Sequence, residues 1–257
     1  MRRLSPWTFR VIELVATAAI FATVWVVVGS NRSYIAVPVP DMLKTFASVW
    51  TSDHLWNDAL PSLRRLALGY LAAVVISVSL GFVLGMSRRL RLACLPVLGF
   101  VRAIPPVALL PIFLVVFGVG DVMRISIIVF VCCWPILLNT LDGLGELDET
   151  MLATARSYHI TGADRLFRVL LPAISPRVLA GMRTSLSLAV LLLVASEMLA
   201  SDGGIGFFLF QSQQAFQLSE MWAAVILLGL LGYVLNILFT VVERRLLRWH
   251  ASTRAQH

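Results

Sequence analysis

Six stretches of this chain, near 11–28, 66–86, 92–117, 122–141, 185–200 and 221–242, run almost free of charge for close to the length of a membrane crossing. A helix rises about 1.5 Å per residue, so roughly 20 apolar residues cover a hydrocarbon core about 30 Å thick. Lipid offers no partner to a backbone N–H or C=O, which leaves only helices or a closed barrel as spanning structures. Barrel strands alternate lipid-facing and lumen-facing residues, whereas these runs are apolar without a break. The expectation is an all-α, polytopic membrane protein in which 1–257 form one transmembrane domain of six helices. Hydrophobic residues at 59%, charged residues at 14% and a mean hydropathy of +0.87 fix lipid as its solvent. In the fifth run Arg177 and Arg183 precede the strictly apolar part, so that helix can also start earlier, with both at the interface.

Arginine placement sets the orientation. With the N-terminus inside, the cytoplasmic side carries fifteen basic residues, among them Arg2, Arg3, Arg88, Arg89, Arg91, Arg156, Arg165, Arg168, Arg244 and Arg245. The other side carries five, Arg32, Lys44, Arg64, Arg65 and Arg124. An even number of spans then keeps the C-terminus cytoplasmic as well. These charges bracket apolar runs, so the net charge of +7 reflects topology and implies no nucleic-acid partner. Cys94, Cys132 and Cys133 fall within the runs, with no metal-like spacing, and read as small core residues. Arg2-Arg3 before an apolar run imitates an export signal, but Gly29-Ser30-Asn31 is no clean cleavage pattern, and a retained first helix is expected.

Two segments lie on the outer side. In 29–61, Met42, Leu43, Phe46, Val49 and Trp50 recur at helical spacing, which suggests an amphipathic helix at the interface that packs on the bundle. In 201–220, Gly203, Gly204 and Gly206 permit a tight re-entry before an aromatic and amide mixture that includes Phe208 and Gln211. This segment reads either as a gate over a cavity mouth or as a plain interfacial loop.

Between the fourth and fifth runs lies a polar loop, 142–176. Asp148 and Glu149 open a short helix through Ser157, where the helix dipole favours negative charge. Thr161 and Asp164 suggest a capping box for a second short helix through Leu171, with Gly162 reversing the chain between the two. Ser175-Pro176 reads as the start of the next span. Met151, Leu152, Tyr158, Ile160 and Leu166 exceed the apolar content a solvated elbow needs, and fit either a groove on a partner or the elbow's own helices.

The loop resembles the cytoplasmic coupling loop of ATP-binding-cassette (ABC) importer permeases: Glu-Ala-Ala, three residues, Gly, nine residues, Ile, one residue, Leu-Pro. Leu171-Pro172 align with the final pair, Val169 with the Ile, His159 with the Gly, and Ala153, Thr154 and Ala155 with Glu-Ala-Ala. The frame is kept while the Glu and the Gly are replaced, by Ala153 and His159. The order of Leu63-Arg64-Arg65-Leu66, Ser87-Arg88-Arg89-Leu90, Arg102-Ala103-Ile104-Pro105-Pro106, Pro135 to Thr140, Ala195-Ser196-Glu197-Met198-Leu199 and Glu243-Arg244-Arg245 is similar to the nitrate, sulfonate and taurine branch of that family. The resemblance implies a MetI-like permease fold in the bacterial inner membrane. It further implies a two-fold permease dimer, two ABC ATPase subunits that bind the ATP and Mg, and an extracytoplasmic solute-binding protein. The coupling-loop residues it designates are Asp148, Glu149, Ala153, Ala155, Tyr158, His159, Gly162, Val169, Leu171 and Pro172, with Asp148 or Glu149 replacing the lost acidic contact.

No cofactor is expected on this chain. A phosphate-binding loop needs Gly-Lys before Ser or Thr, and the single lysine, Lys44, does not follow a Gly. None of His54, His159, His250 and His257 sits in a recognisable catalytic frame, so the expected role is a pore and not an enzyme. Ionisable residues at membrane depth are costly and mark functional candidates, here Arg102 and Glu197. They could neutralise one another, lock helices, or face a substrate, in a path that also includes Pro105, Pro106 and Asn139. A gradient-driven transporter and a non-transport membrane scaffold stay open as other readings, though the two halves show no internal repeat.

Overall fold

The computed structural model describes residues 37–247, together with Thr23. The first anticipated span, 11–28, lies outside the described residues except for Thr23, as do the basic residues Arg2, Arg3, Arg248 and Arg254. Every regular element among the described residues is helical: α1 Val39–Trp50, α2 Leu60–Gly85, α3 Arg88–Ala103, α4 Leu110–Phe117, α5 Asp121–Gly145, α6 Glu149–Ser157, α7 Leu171–Leu199, α8 Ile205–Gln214 and α9 Leu218–Leu246. Four stretches are long and apolar enough to cross a membrane, or five if the bent pair α3 and α4 counts as one.

Helices α2, α5 and α7 form the centre, with α5 packed against both others along its length. Close approach depends on small residues. A Cβ on Gly81 of α2 would stand 2.5 Å from Thr140 Cγ2, and one on Gly181 of α7 would stand 2.7 Å from the Pro135 carbonyl. Backbones that near gain dispersion contacts, the main attraction left to helices dissolved in hydrocarbon. Cys132 is fully buried among Leu66, Ala73, Ile128 and Leu193, the packing role expected of it. Helix α1 lies against α9, with Met42, Val49 and Trp50 buried and the Trp50 indole donating to the Ala223 carbonyl at 3.1 Å.

Three expectations change. The third span, 92–117, is not one bent helix but two, α3 and α4, meeting at 85°. Pro disfavours α-helical backbone in the residue before it. Ile104 and Pro105 each precede a proline and are extended, with ψ of 125° and 120°. The fifth span takes the earlier start left open for it: helix runs from Gly162 to Leu199, through a π-helical stretch Arg165–Leu170. Ser175-Pro176 therefore lies inside α7 rather than at its start, and the Ser175 hydroxyl donates to the Pro172 carbonyl at 2.8 Å. The wider π turn ahead of Pro172 makes room for a ring that carries no N–H, so proline does not end the helix here. Thr161 does occupy the cap position of the short Gly162–Asp164 turn, but its side chain makes no capping bond.

Candidate functional site

Two polar assemblies sit at opposite ends of α7. At its start is the elbow. The Asp148 carboxylate accepts from the Thr150 N–H at 2.8 Å and caps α6, with Glu149 in the first turn, where carboxylates offset the unpaired N–H groups. The other end of α6 closes by a double bond pattern: Ile160 N–H donates to the Ala155 carbonyl at 3.0 Å and His159 N–H to Arg156 at 2.9 Å. That is a Schellman close, which needs a left-handed residue just past the helix, and His159 supplies it with φ +55°. The family pattern's Gly falls at this position, so the spacing encodes a backbone requirement that His159 meets at some cost in strain. Gly162, φ +59°, completes the reversal.

The elbow's apolar residues divide. Leu152 and Leu166 pack onto the cluster of Phe82, Leu144, Leu170, Ile174 and Val178, the second of the two placements open to them. Ala155 is buried, Val169, Leu171 and Pro172 are half-buried, and Ala153 is exposed. Tyr158 is 76% exposed and Phe167 63%, so they form the free apolar tip. Phe167 was not singled out from sequence, since only the fold reveals that its side of the turn faces away from the bundle.

At the far end is a buried ion cluster. Glu197, 0% exposed, accepts from Arg65 at 2.8 Å, from the Ser62 hydroxyl and from the Gly206 N–H at 3.0 Å. Arg65 also donates to Asp121 at 2.7 Å and to the Gly203 carbonyl at 3.1 Å. Arg124, 2% exposed, donates to the same Asp121 oxygen at 3.0 Å and to the Ala200 carbonyl at 2.6 Å. Asp58 accepts from the Gly204 N–H at 2.9 Å, and Ser62 accepts from the Ile205 N–H at 2.9 Å. The N–H groups of the cap residue Gly204 and of Ile205 and Gly206 in the first turn of α8 are thus received by Asp58, Ser62 and Glu197, which satisfies donors that a helix start leaves open. A Cβ on Gly204, φ +122°, would stand about 2.5 Å from the Glu197 carboxyl carbon, so the close approach requires glycine.

Glu197 therefore pairs with Arg65 and not with Arg102 as one reading expected. Arg65 and Arg124, which charge counting places on the outer side, are buried and paired with Glu197 and Asp121. Sequence signals for this were present but weak: an Arg in the first turns of α2, and an Asp and Arg three apart opening α5. Phe208 is buried beside Trp50, with ring centroids 5.4 Å apart, and Gln211 is exposed. Arg102 is exposed at the α3–α4 break, where with Pro106 and Trp134 it lines a cavity of about 80 Å³. The Trp134 indole N–H finds no partner among the described residues. Asn139 donates to the Pro135 carbonyl at 2.8 Å on α5. Pro135 also lines the Arg102 cavity, so Arg102 and Asn139 share a neighbour, while Glu197 belongs to the Arg65 cluster. Among the described residues no group of three His, Cys, Asp or Glu is arranged to hold a metal ion.

A bundle of long apolar helices, with a capped elbow at one end of its longest helical stretch and a buried ion cluster at the other, is the architecture of a polytopic membrane protein. The family model of binding-protein-dependent transport system inner membrane components matches residues 73–248, and the chain belongs to that family. It is thus a multi-pass inner membrane permease subunit of the ABC importer type. The nitrate import permease protein NrtB of Synechococcus elongatus is 32% identical over 94% of this chain and 90% of its own. The taurine transport system permease protein TauC of Escherichia coli is 27% identical over 97% of this chain and 94% of its own. A chain of the inward-facing MetNI methionine ABC transporter superimposes with a TM-score of 0.62 at 18% identity, covering 82% of this chain and 99% of that one, and so shares the fold.

Proposed function

We propose that this chain is the translocation subunit for a small oxyanion nutrient, of the nitrate or sulfonate kind, working as a two-fold dimer. Two cytosolic ATPase subunits bind ATP and Mg and dock on the elbow, and an extracytoplasmic binding protein delivers substrate to the end where α8 lies. The single observation that carries the reading is mechanical. The elbow and the ion cluster are joined by one unbroken helical stretch, Gly162–Leu199, about 57 Å long at 1.5 Å per residue. A stiff helix converts displacement at one end into displacement at the other, without needing a chain of soft contacts between them.

In this reading Tyr158 and Phe167 enter a groove on the ATPase, as exposed helix-borne apolar anchors do. Asp148 and Glu149 give that contact its negative charge. A shift of the elbow moves Glu197 relative to Asp58 and Ser62, and these three hold the start of α8. In this reading the chain's work is to carry motion and line the path. Nitrate and sulfonate headgroups share planar or pyramidal oxygens and one negative charge, and the relatives named above supply that substrate class.

The test is uptake into proteoliposomes that hold this chain with the ATPase and binding protein encoded beside it. ATP-dependent, vanadate-sensitive uptake of nitrate, taurine or an alkyl sulfonate is the expected result. Uptake that follows an imposed ion gradient without ATP would instead make it a secondary transporter.

A further inference from the structure

Helix α9 is divided lengthwise in a way that lipid alone does not explain. At about 100° per residue, Gly232, Tyr233, Asn236, Thr240 and Glu243 fall within one arc roughly 100° wide, while Leu231, Val234, Leu238 and Val241 occupy the opposite side. Polar groups at membrane depth face protein or water, because hydrocarbon leaves them without partners. This stripe turns toward α7, where Arg183, Thr184 and Ser187 answer it across a groove of about 570 Å³. Room of that size, at about 30 Å³ per molecule, holds on the order of 15 to 20 waters. The groove straddles the midpoint of α7, with Ser187 and Val190 beyond it, while Arg183 and its partner Glu243, near the end of α9, lie at the groove's elbow-side end.

We propose that this groove is a water-filled vestibule on the cytoplasmic side of the path, and that Arg183 receives the oxyanion there before release. The inference rests on the oxyanion reading above. Arg183 donates to the Thr240 hydroxyl at 2.6 Å and pairs with Glu243 at 3.3 Å. The pair is open to solvent, with Arg183 45% and Glu243 22% exposed, so an arriving oxyanion can take the place of Glu243 on the guanidinium fork. Ser187, Tyr233 and Asn236 have side chains that make no hydrogen bond among the described residues, which leaves hydroxyl and amide donors free to hydrate or follow the anion.

Cysteine accessibility tests the proposal. Cys94, Cys132 and Cys133 are first replaced by Ala, or left in place and subtracted as the parent signal. Ser187→Cys and Asn236→Cys probe the groove, and Leu238→Cys the apolar side of α9. Membrane-impermeant methanethiosulfonates, one bearing a sulfonate and one a trimethylammonium, are added to inside-out vesicles holding the assembled transporter. The groove positions should react and Leu238→Cys should not. The anionic reagent should be favoured at the groove, and Arg183→Gln should reduce that preference about tenfold, the lower range of focusing by a charged cleft. Silence at both groove positions, equal labelling of Leu238→Cys, or an unchanged preference in Arg183→Gln each overturns the vestibule. Because ATP-driven uptake by the parent chain is read separately, loss of the vestibule and loss of the importer reading are distinguishable.

Discussion

Replacing Arg65 by Met should unlock the α8 end of the bundle while leaving its apolar packing in place. Arg65 is 7% exposed and is the one cation among the described residues in contact with Glu197, which is 0% exposed. Removing one partner of a buried pair typically costs about 3–5 kcal/mol, because the other charge stays desolvated and uncompensated. Here the lower figure applies. Glu197 keeps the Ser62 hydroxyl and the Gly206 N–H, and Asp121, 48% exposed, keeps Arg124 and can turn to water. About 3 kcal/mol corresponds to a fall in Tm of roughly 6–12 °C for a chain of this size. Glu197→Gln should cost less, since Arg65 retains Asp121 as counter-ion. The double variant should regain much of the loss, as no buried charge is then left unpaired. Thermal melting of the detergent-purified chain with each single and the double variant reads the cycle. A shift below about 2 °C for Arg65→Met, or a double variant equal to the sum of the singles, would refute the assignment of a coupled buried pair.

Other outcomes follow from single positions. His159→Gly should relieve a left-handed strain of about 1 kcal/mol and slow amide exchange at Ile160 several-fold, whereas His159→Val should speed it; equal rates would deny the Schellman close. Gly204→Ala forces a Cβ onto the Glu197 carboxylate at an unfavourable φ, and a loss of more than about 2 kcal/mol is expected in the same melting assay. Changing Pro105 and Pro106 together to Ala should let α3 and α4 straighten from their 85° crossing, measured as a longer spin-label distance between Val97 and Val115; an unchanged distance would mean that packing and not proline sets the break. Arg102→Ala should abolish uptake while the assembled complex still purifies, and normal transport would remove Arg102 from the path.

Several levels of this protein are legible in its sequence. Hydrophobic run length dictated a helical membrane protein, because backbone hydrogen bonding in lipid admits so few solutions. The elbow's frame was partly legible, since a helix start and a chain reversal demand local residue types: Asp148 and Glu149 for the dipole at the start and Gly162 for the turn, whereas the Thr161 cap does not form. The His159 position shows why a pattern can survive a change of residue. What it preserves is a left-handed backbone site, which several side chains tolerate.

Tertiary structure alone decided how the charges are used. Arg65 and Arg124 look in sequence like ordinary flanks of an apolar run, and Glu197 like a lone acid. Their meeting depends on how α2, α5 and α7 are rotated and staggered, which is set by close glycine contacts such as Gly81 on Thr140 and Gly181 on Pro135. Likewise no propensity distinguishes a proline that breaks a helix, as at Pro105-Pro106, from one that a widened turn carries through, as at Pro172. Sequence fixes which segments must leave water and which turns are sterically open. Only packing chooses the neighbours that satisfy buried charge, because a Coulomb partner is recruited from another helix at distances no local pattern records.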